Sequence, residues 1–285
     1  MPRYLINITH LCNNRCVMCN FDIPHSRYNL TYEQVIERIK EEAAPDVDEI
    51  CLTGGEPAIR QDIRDIIHWV DKHYPKAKIG LATNARVFYY ERYFRMFLPY
   101  RKKLMISTEL HADNEALHDS ITTVDGSFRQ AYRGICNLHD NGFRIKLNIV
   151  VHKMNYSHIP KLAEFIVREF SGVRKLIMYP IDIYGNAVKN AERVLVKNSK
   201  IVKKMEQALR ILLDGGIDAS IIHTPLCMVS GKYRPYVLAG TTDPGRISFD
   251  TKCLACIKKG FCPGMWGSYY ERYGGEELTP FREKE

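Results

Sequence analysis

Apolar, strand-like runs alternate with amphipathic helical stretches over residues 1–180, and this alternation limits the possible folds more than any other feature. The six predicted strands cover residues 4–9, 49–53, 78–83, 103–110, 144–152 and 175–179. The five predicted helices between them cover residues 31–42, 62–72, 86–97, 127–140 and 159–170. Because parallel strands need right-handed crossovers, the pattern predicts an α/β protein whose parallel sheet is either doubly wound or a partial barrel.

The alternation fades after residue 180. One further amphipathic helix is predicted over residues 200–213, and the chain beyond it is rich in Gly, Pro and Cys. We therefore predict two domains, a core of residues 1–180 and a smaller Cys-rich domain of residues 181–285. With 285 residues, of which 45% are hydrophobic, the chain can bury a sizeable core.

Three closely spaced cysteines, Cys12, Cys16 and Cys19, follow the first predicted strand in a Cys-x3-Cys-x2-Cys array. Three thiolates this close can hold three corners of a [4Fe–4S] cluster, whereas such sites usually offer four cysteines. One iron would then lack a protein ligand, which predicts that a small molecule fills that position. Zinc is the alternative, with His10 or His25 as its fourth ligand.

A second motif, formed by Gly54, Gly55 and Glu56, lies at the turn between the second predicted strand and the next helix. Glycines allow the backbone to approach a ligand closely, and a carboxylate accepts hydrogen bonds from an ammonium group. Both motifs follow the carboxyl ends of strands, where the sites of parallel sheets and barrels gather.

Together the two motifs resemble those of the radical S-adenosylmethionine (SAM) enzymes. The resemblance implies a partial (β/α)6 TIM-like barrel with a small Cys-rich C-terminal domain. It implies that SAM chelates the open iron, and that the turn formed by Gly54, Gly55 and Glu56 binds the amine of SAM. An electron, supplied by a donor such as flavodoxin or ferredoxin, would then cleave SAM to a 5′-deoxyadenosyl radical.

The same resemblance assigns further residues to the SAM pocket. They are Met18, Thr83, Ser107, Asn148 and Tyr179. Met18 stands where relatives often have an aromatic residue near the adenine, and Ala85 replaces the glycine of their Thr-Asn-Gly motif. Ser107 and Asn148 match positions that contact the ribose or carboxylate of SAM, and ordinary core hydrogen bonding is the alternative for both.

Glu109 follows Ser107 by two positions, so both side chains point to the same face of a strand. A carboxylate inside the barrel is costly unless it is paired or used. We predict that Glu109 and His111, at the mouth of the barrel, are catalytic. Pairing of Glu109 with Arg144 or Lys146 is the alternative.

Four cysteines of the C-terminal part form a second set. They are Cys227, Cys253, Cys256 and Cys262. Four thiols can close either a second [4Fe–4S] cluster or a zinc site. The segment resembles the SPASM/Twitch extensions of radical SAM maturases, which implies an auxiliary cluster. Four cysteines limit the chain to one such cluster, as in the shorter Twitch type.

Composition excludes several classes of protein. No stretch approaches the roughly 18 apolar residues of a membrane span, and the chain enters its first strand without a signal peptide. Nine cysteines in such a chain indicate metal or redox chemistry in a reducing cytoplasm. The formal charge of +8 indicates a solvated basic surface, and a nucleic acid partner is not expected.

The sequence thus predicts a radical SAM oxidoreductase or maturase that oxidises or cross-links a ribosomal peptide. A dehydrogenase or epimerase that acts on a sugar or another small metabolite is the alternative. A non-catalytic zinc-binding module is a more remote one.

Overall fold

The structure is a computed structural model that describes residues 3–21, 27–170, 172–173, 175–240 and 244–282 of the chain. Seven strands from these ranges form the main sheet. They are β1 (Arg3–Thr9), β2 (Glu49–Gly54), β3 (Lys78–Thr83), β4 (Leu104–Glu109), β5 (Arg144–Val151), β6 (Lys175–Pro180) and β7 (Asp218–Ile221).

All pairs in this sheet are parallel, and the strands lie side by side in chain order. β1 and β7 are its two edges, so the barrel is open. The crossovers carry α1 (Tyr32–Glu42), α2 (Ile63–His73), α3 (Glu91–Phe97), α4 (Glu115–Thr122), α5 (Ser127–Asp140) and α6 (Ile159–Glu169). The predicted α/β fold with a partial barrel is confirmed.

The main sheet continues beyond residue 180, where the predicted core ended. Three more helices follow β6, namely α7 (Asn186–Lys189), α8 (Ala191–Val194) and α9 (Asn198–Asp214). α9 packs against α6 and leads into β7, which pairs with β6. β7 is only four residues long and contains an aspartate and a serine, so its sequence carries no visible strand pattern. The division into two domains stays a prediction.

Local sequence explains where the helices begin. Thr31 and Gln34 form the predicted capping box at the start of α1, because each side chain accepts a hydrogen bond from the other residue's backbone N–H.

The prediction of a single helix over residues 86–97 is wrong. A 3-10 turn (Arg86–Tyr89) precedes α3, and Tyr90 between them is extended.

Alternation along β4 separates the core from the barrel lumen. Leu104, Ile106 and Thr108 are fully buried on the helix-facing side. The odd-numbered positions, which include Ser107 and Glu109, point to the opposite face, as the sequence predicts. In the parallel register Glu109 lies opposite Asn148 of β5, so polar groups of two strands meet inside the lumen.

The C-terminal part forms a small unit on the carboxyl end of the sheet. It contains the antiparallel strands β8 (Ile247–Ser248) and β9 (Met265–Trp266), and α10 (Gly267–Tyr273). Trp266 donates a hydrogen bond from Nε1 to the carbonyl of Pro180 at 2.8 Å, which ties this unit to the end of β6. None of the helices in the described ranges is long and apolar enough to cross a membrane.

Candidate active site

The cysteine loop, residues 10–20, carries the first three cysteines and follows the carboxyl end of β1. Two helices hold its backbone. Val17 donates its N–H to the carbonyl of Ile121 in α4 at 2.9 Å. Asn186 in α7 donates from Nδ2 to the carbonyl of Cys16 at 2.8 Å. The loop is therefore fixed from both sides.

All nine cysteines are free thiols. Burial raises the pKa of Cys12 to about 12 and that of Cys19 to about 11. Burial, followed by the charges of Cys19 and Cys12, also raises the pKa of Cys16, so the three sulfurs are electrostatic neighbours. Such thiols become thiolates only beside a strong positive charge, as a bound metal group supplies.

Backbone amides already point at two of these sulfurs. Asn14 donates its N–H to Cys12 Sγ at 3.3 Å, and Phe21 donates to Cys19 Sγ at 3.4 Å. Within the described ranges, no three His, Cys, Asp or Glu side chains stand together as the ligands of a bound metal ion do. The assignment of a cluster to this site therefore depends on the position of the three cysteines in one loop and on the backbone N–H groups that donate to their sulfurs. Three free thiols with amide donors fit an iron–sulfur cluster.

The Gly-Gly-Glu turn packs directly against the cysteine loop. Gly55 donates its N–H to the carbonyl of Thr9 at 2.6 Å, and Glu56 donates to the carbonyl of Leu11 at 2.7 Å. A Cβ atom at Gly54 would lie 2.0 Å from the Thr9 oxygen, and one at Gly55 would lie 2.4 Å from the Leu11 oxygen. The backbone at the end of β1 and in the cysteine loop thus requires both glycines, a reason that the sequence did not reveal.

Glu56 is fully buried, and protein groups occupy both of its carboxylate oxygens. Oε1 accepts from the N–H of Ala58 at 2.9 Å, and Oε2 accepts from the N–H of Asn84 at 2.5 Å. Burial raises its pKa to about 7, although these hydrogen bonds oppose the rise. Each oxygen keeps a second lone pair, so the predicted contact with the SAM amine stays a prediction.

Sequence reasoning missed the roles of Asn84 and Arg86, which follow β3. Asn84 donates from Nδ2 to Asn13 Oδ1 at 2.6 Å, and the same nitrogen lies 3.9 Å from Cys12 Sγ. Arg86 donates from Nη1 to Asn14 Oδ1 at 2.6 Å and to the carbonyl of Asn13. These two side chains clamp the cysteine loop onto the end of β3.

Three of the predicted SAM-pocket residues already have hydrogen bonds within the protein. Asn148 donates from Nδ2 to Ser107 Oγ at 2.9 Å, and Thr83 Oγ1 accepts from the N–H of Ala85 at 3.1 Å. The hydrogen bond between Asn148 and Ser107 is of the kind expected if both residues only satisfy each other in the core, the alternative given above. Their contacts with SAM stay predictions.

Glu109 faces the cysteine loop across the lumen, and its charge raises the pKa of Cys16 and Cys19. Its side chain is 39% exposed, yet it lies inside a walled lumen. This enclosure raises its pKa to about 7, and Lys146 opposes the rise. Of its two predicted partners, Lys146 is thus the one whose charge acts on it.

His111 lies beside Glu109, with Nε2 3.9 Å from Glu109 Oε2. Burial, and then the charges of His118 and His152, lower its pKa well below the usual range, so the ring is neutral. Its Nδ1 is buried and has no hydrogen-bond partner among the described residues. The two predicted catalytic side chains are therefore neighbours.

The remaining candidates of this site lie near the cysteine loop. Met18 is buried in a small apolar cluster with Ile121 and Ile181, and its contact with adenine stays a prediction. Tyr179 is the last residue but one of β6, and burial and then the charge of Glu109 raise its pKa. His10, one of the two alternative zinc ligands, packs against the rings of Phe21 and Tyr28 at 4.8 and 4.7 Å. His25, the other alternative ligand, lies outside the described residues.

The second cysteine set surrounds one cleft in the C-terminal unit. Its walls include Cys227, Cys253, Cys256 and Cys262, together with Phe249 and Phe281. Leu226 donates its N–H to Cys262 Sγ at 3.5 Å. Four free thiols are the donor set of either predicted metal group, a [4Fe–4S] cluster or zinc, although no three of them stand together as the ligands of a bound ion do.

The open barrel carries the three-thiol loop and the Gly-Gly-Glu turn together at the carboxyl end of its sheet. Residues 6–166, which carry both motifs, match the family model described as the Radical SAM superfamily. The chain belongs to the radical SAM superfamily, so the predicted resemblance is confirmed for its core. Membership implies a [4Fe–4S] cluster and SAM.

Several curated relatives are named GTP 3',8-cyclase. The chain is 26% identical to the probable GTP 3',8-cyclase of Saccharolobus islandicus (strain L.S.2.15 / Lassen #1) over 272 residues, which cover 88% of this chain and 81% of the relative. It is 30% identical to the GTP 3',8-cyclase of Aquifex aeolicus over 166 residues, which cover 56% of this chain and 51% of that protein.

Two solved structures share the fold. SuiB of Streptococcus suis, solved with the precursor peptide SuiA, matches with a TM-score of 0.59 and 14% identity over 77% of this chain. The chain spans about half the length of SuiB, 48%. anSMEcpe, solved with AdoMet and the Kp18Cys peptide, matches with a TM-score of 0.60 and 16% identity. The match covers 77% of this chain and 64% of the anSMEcpe chain. At these identities the likeness shows the fold alone.

Proposed function

We propose that the chain reductively cleaves SAM and abstracts a hydrogen atom from a substrate held in the barrel lumen. The observation that carries the proposal is the meeting of the cysteine loop, the Gly-Gly-Glu turn and Glu109 at the carboxyl end of the sheet. When bound, the cluster and SAM supply a 5′-deoxyadenosyl radical. The protein provides binding, orientation and exclusion of water.

The chain's own residues have separable tasks in this proposal. Cys12, Cys16 and Cys19 hold the cluster, and the clamp on the loop fixes their positions. Glu109, whose pKa is raised to about 7 by its enclosure in the lumen, can hold or release a proton near neutral pH. His111, neutral and 3.9 Å away, is placed to orient that carboxyl group.

The second cysteine set supports a Twitch-type auxiliary [4Fe–4S] cluster held by the four thiols of the C-terminal cleft. Such a group can accept an electron from the substrate, bind the substrate or brace the C-terminal unit. An electron donor such as flavodoxin or ferredoxin and a cytoplasmic location belong to the same proposal.

For the substrate, a purine nucleotide is the better supported candidate. Its support is that relatives named GTP 3',8-cyclase align with 88% of the chain. This candidate falls within the small-metabolite alternative of the sequence, which also included sugars. Oxidation or cross-linking of a peptide, by an oxidoreductase or maturase, is the second candidate, since SuiB and anSMEcpe were solved with peptides and share the fold.

Isotope transfer distinguishes the two candidates. The reconstituted enzyme is incubated under anaerobic conditions with SAM, dithionite and GTP deuterated in the ribose. The nucleotide proposal expects deuterium in the 5′-deoxyadenosine product, measured by mass spectrometry, and Glu109→Gln should reduce this transfer with both clusters present.

If 5′-deoxyadenosine forms without deuterium and GTP does not accelerate it, the nucleotide proposal is wrong while SAM cleavage stands. A deuterated ribosomal peptide then tests the second candidate.

A further inference from the structure

Two histidines at the carboxyl end of the sheet carry buried ring nitrogens that the described part of the chain does not satisfy. His111 follows β4 and His152 follows β5, and both are buried. His111 Nδ1 and His152 Nε2 have no hydrogen-bond partner among the residues that the structure describes. Buried polar atoms of folded proteins are almost always hydrogen-bonded, so each of these nitrogens calls for a partner.

One side chain ties the backbones of the two histidines together. Asn155 is fully buried, and its Oδ1 accepts from the N–H of His152 at 2.9 Å. Its Nδ2 donates to the carbonyl of His111 at 3.1 Å and to that of Val150 at 3.0 Å. The charge of His152 also acts on the His111 ring, so the two rings are electrostatic neighbours.

The hydrogen bond that His152 accepts decides which of its nitrogens carries a proton. Nδ1 accepts from the N–H of Met154 at 3.3 Å. Burial lowers the pKa of His152 to about 3, so the ring is neutral and has a single proton. A neutral imidazole that accepts at Nδ1 carries its proton on Nε2. The unsatisfied nitrogen of His152 is therefore a donor.

His111 offers the complementary acceptor. Its Nε2 lies 3.9 Å from Glu109 Oε2, and the carboxylate favours a proton on the nitrogen that faces it. Nδ1 of the neutral His111 ring then presents a lone pair. The ring of His118 packs on His111 with centres 5.2 Å apart, but its own Nδ1 is occupied by Ser127 Oγ at 3.1 Å. A donor on His152 thus matches an acceptor on His111.

We propose that His152 Nε2 donates a hydrogen bond to His111 Nδ1, directly or through one water molecule, and so holds the His111 proton on Nε2, toward Glu109. His152 is then a positioning residue for Glu109, and this part of the inference rests on the proposed function of that carboxylate. With the Nε2 proton facing it, Glu109 is stabilised as a proton acceptor. The opposite tautomer of His111 would present a lone pair and favour the protonated carboxyl group.

Nitrogen-15 NMR of the reconstituted enzyme with labelled histidine tests the hydrogen bond. The His111 signals are assigned by their loss in His111→Phe. We expect the wild type to carry the His111 proton on Nε2, with the Nδ1 resonance displaced as it is in a nitrogen that accepts a hydrogen bond. His152→Phe keeps a ring without a donor and should move this resonance to its position in a free acceptor. His152→Gln keeps an amide donor and should leave it near the wild-type position.

A double-mutant cycle tests whether the contact acts on Glu109. Its readout is deuterium transfer from ribose-deuterated GTP, with iron content and the free energy of unfolding measured for each variant. His152→Phe should lower the transfer at least about tenfold, and His152→Gln should restore most of it. In the Glu109→Gln background, His152→Phe should change the transfer by less than about twofold. An equal loss in both backgrounds would mean a structural role and would overturn the assignment of His152 as a positioning residue.

The NMR result does not depend on the reaction, so the two kinds of failure can be told apart. A proton on Nδ1 of His111 in the wild type, or an Nδ1 resonance that His152→Phe does not move, overturns the inference whatever the activity. If the hydrogen bond is present but Glu109→Gln transfers deuterium as the wild type does, the proposed role of Glu109 is wrong. Absence of transfer in the wild type overturns the nucleotide proposal, and the NMR result alone then decides the inference.

Discussion

Replacing Arg86 by Gln tests how the cysteine loop is held in place. The Arg86 side chain is buried and donates to Asn14 Oδ1 at 2.6 Å and to the carbonyl of Asn13. Its Nε donates to Gln130 Oε1 in α5 at 2.8 Å. Gln is shorter and uncharged, so the buried acceptors of the loop lose their donor.

The size of the effect follows from these contacts. A hydrogen bond from a charged donor contributes roughly 1.5–3 kcal/mol, but bonds that share one side chain do not add independently. Burial also lowers the pKa of the Arg86 guanidinium, and this cost of desolvation offsets part of the stability that its hydrogen bonds contribute. We expect Arg86→Gln to destabilise the protein by about 3 kcal/mol, near the range for breaking a buried charged network.

Denaturant unfolding under anaerobic conditions measures this loss, and hydrogen exchange of the cysteine-loop amides locates it. Arg86→Lys keeps the charge but not the forked geometry of the guanidinium. Its free energy of unfolding should therefore lie between those of the wild type and Arg86→Gln. The control is Arg129→Gln, which removes an ion pair to Glu115 whose arginine is 73% exposed and should cost less than about 1 kcal/mol. If Arg86→Gln lowers the free energy of unfolding by less than about 1 kcal/mol and leaves hydrogen exchange in the loop unchanged, Arg86 does not hold the cysteine loop in place.

Three further predictions follow from the site. Because burial raises the pKa of Glu56 from 4.5 to about 7, stability should fall by up to ~3 kcal/mol as pH rises between these values. Glu56→Gln should flatten that slope in urea titrations and weaken SAM binding in calorimetry. Gly55→Ala should destabilise by ~1–3 kcal/mol or more and lower iron content, whereas Gly260→Ala, with open space around it, should do neither. Replacing Cys253 and Cys256 by Ala should preserve 5′-deoxyadenosine formation, measured by chromatography, while product formation falls.

Patterns that are local in the chain were predictable. The strand predicted over residues 103–110 is β4 with its ends trimmed, because alternation along one strand is a property of neighbouring residues. The capping box of Thr31 and Gln34 is correct for the same reason. β7 was missed because four residues are too few to show a period.

Contacts between distant segments were not predictable. Arg86 is followed by Val87 and Phe88, which gives it the pattern of a helix residue, and only the fold brings it to Asn13 and Asn14. The sequence identified the glycines but not the reason for them, since the oxygen atoms that exclude a Cβ belong to the end of β1 and to the loop after it. The sequence thus predicted the residues of a candidate site, whereas the contacts by which they hold one another in place required the structure.

The central claim is that SAM is cleaved at an iron–sulfur cluster held by Cys12, Cys16 and Cys19. The most direct test compares the reconstituted wild type with the variant in which all three are Ala, by iron count and by 5′-deoxyadenosine formed from SAM and dithionite. We expect about eight irons and 5′-deoxyadenosine in the wild type, and about four irons with no 5′-deoxyadenosine in the variant. Formation of 5′-deoxyadenosine by the variant, or zinc in place of iron in the wild type, would contradict the account.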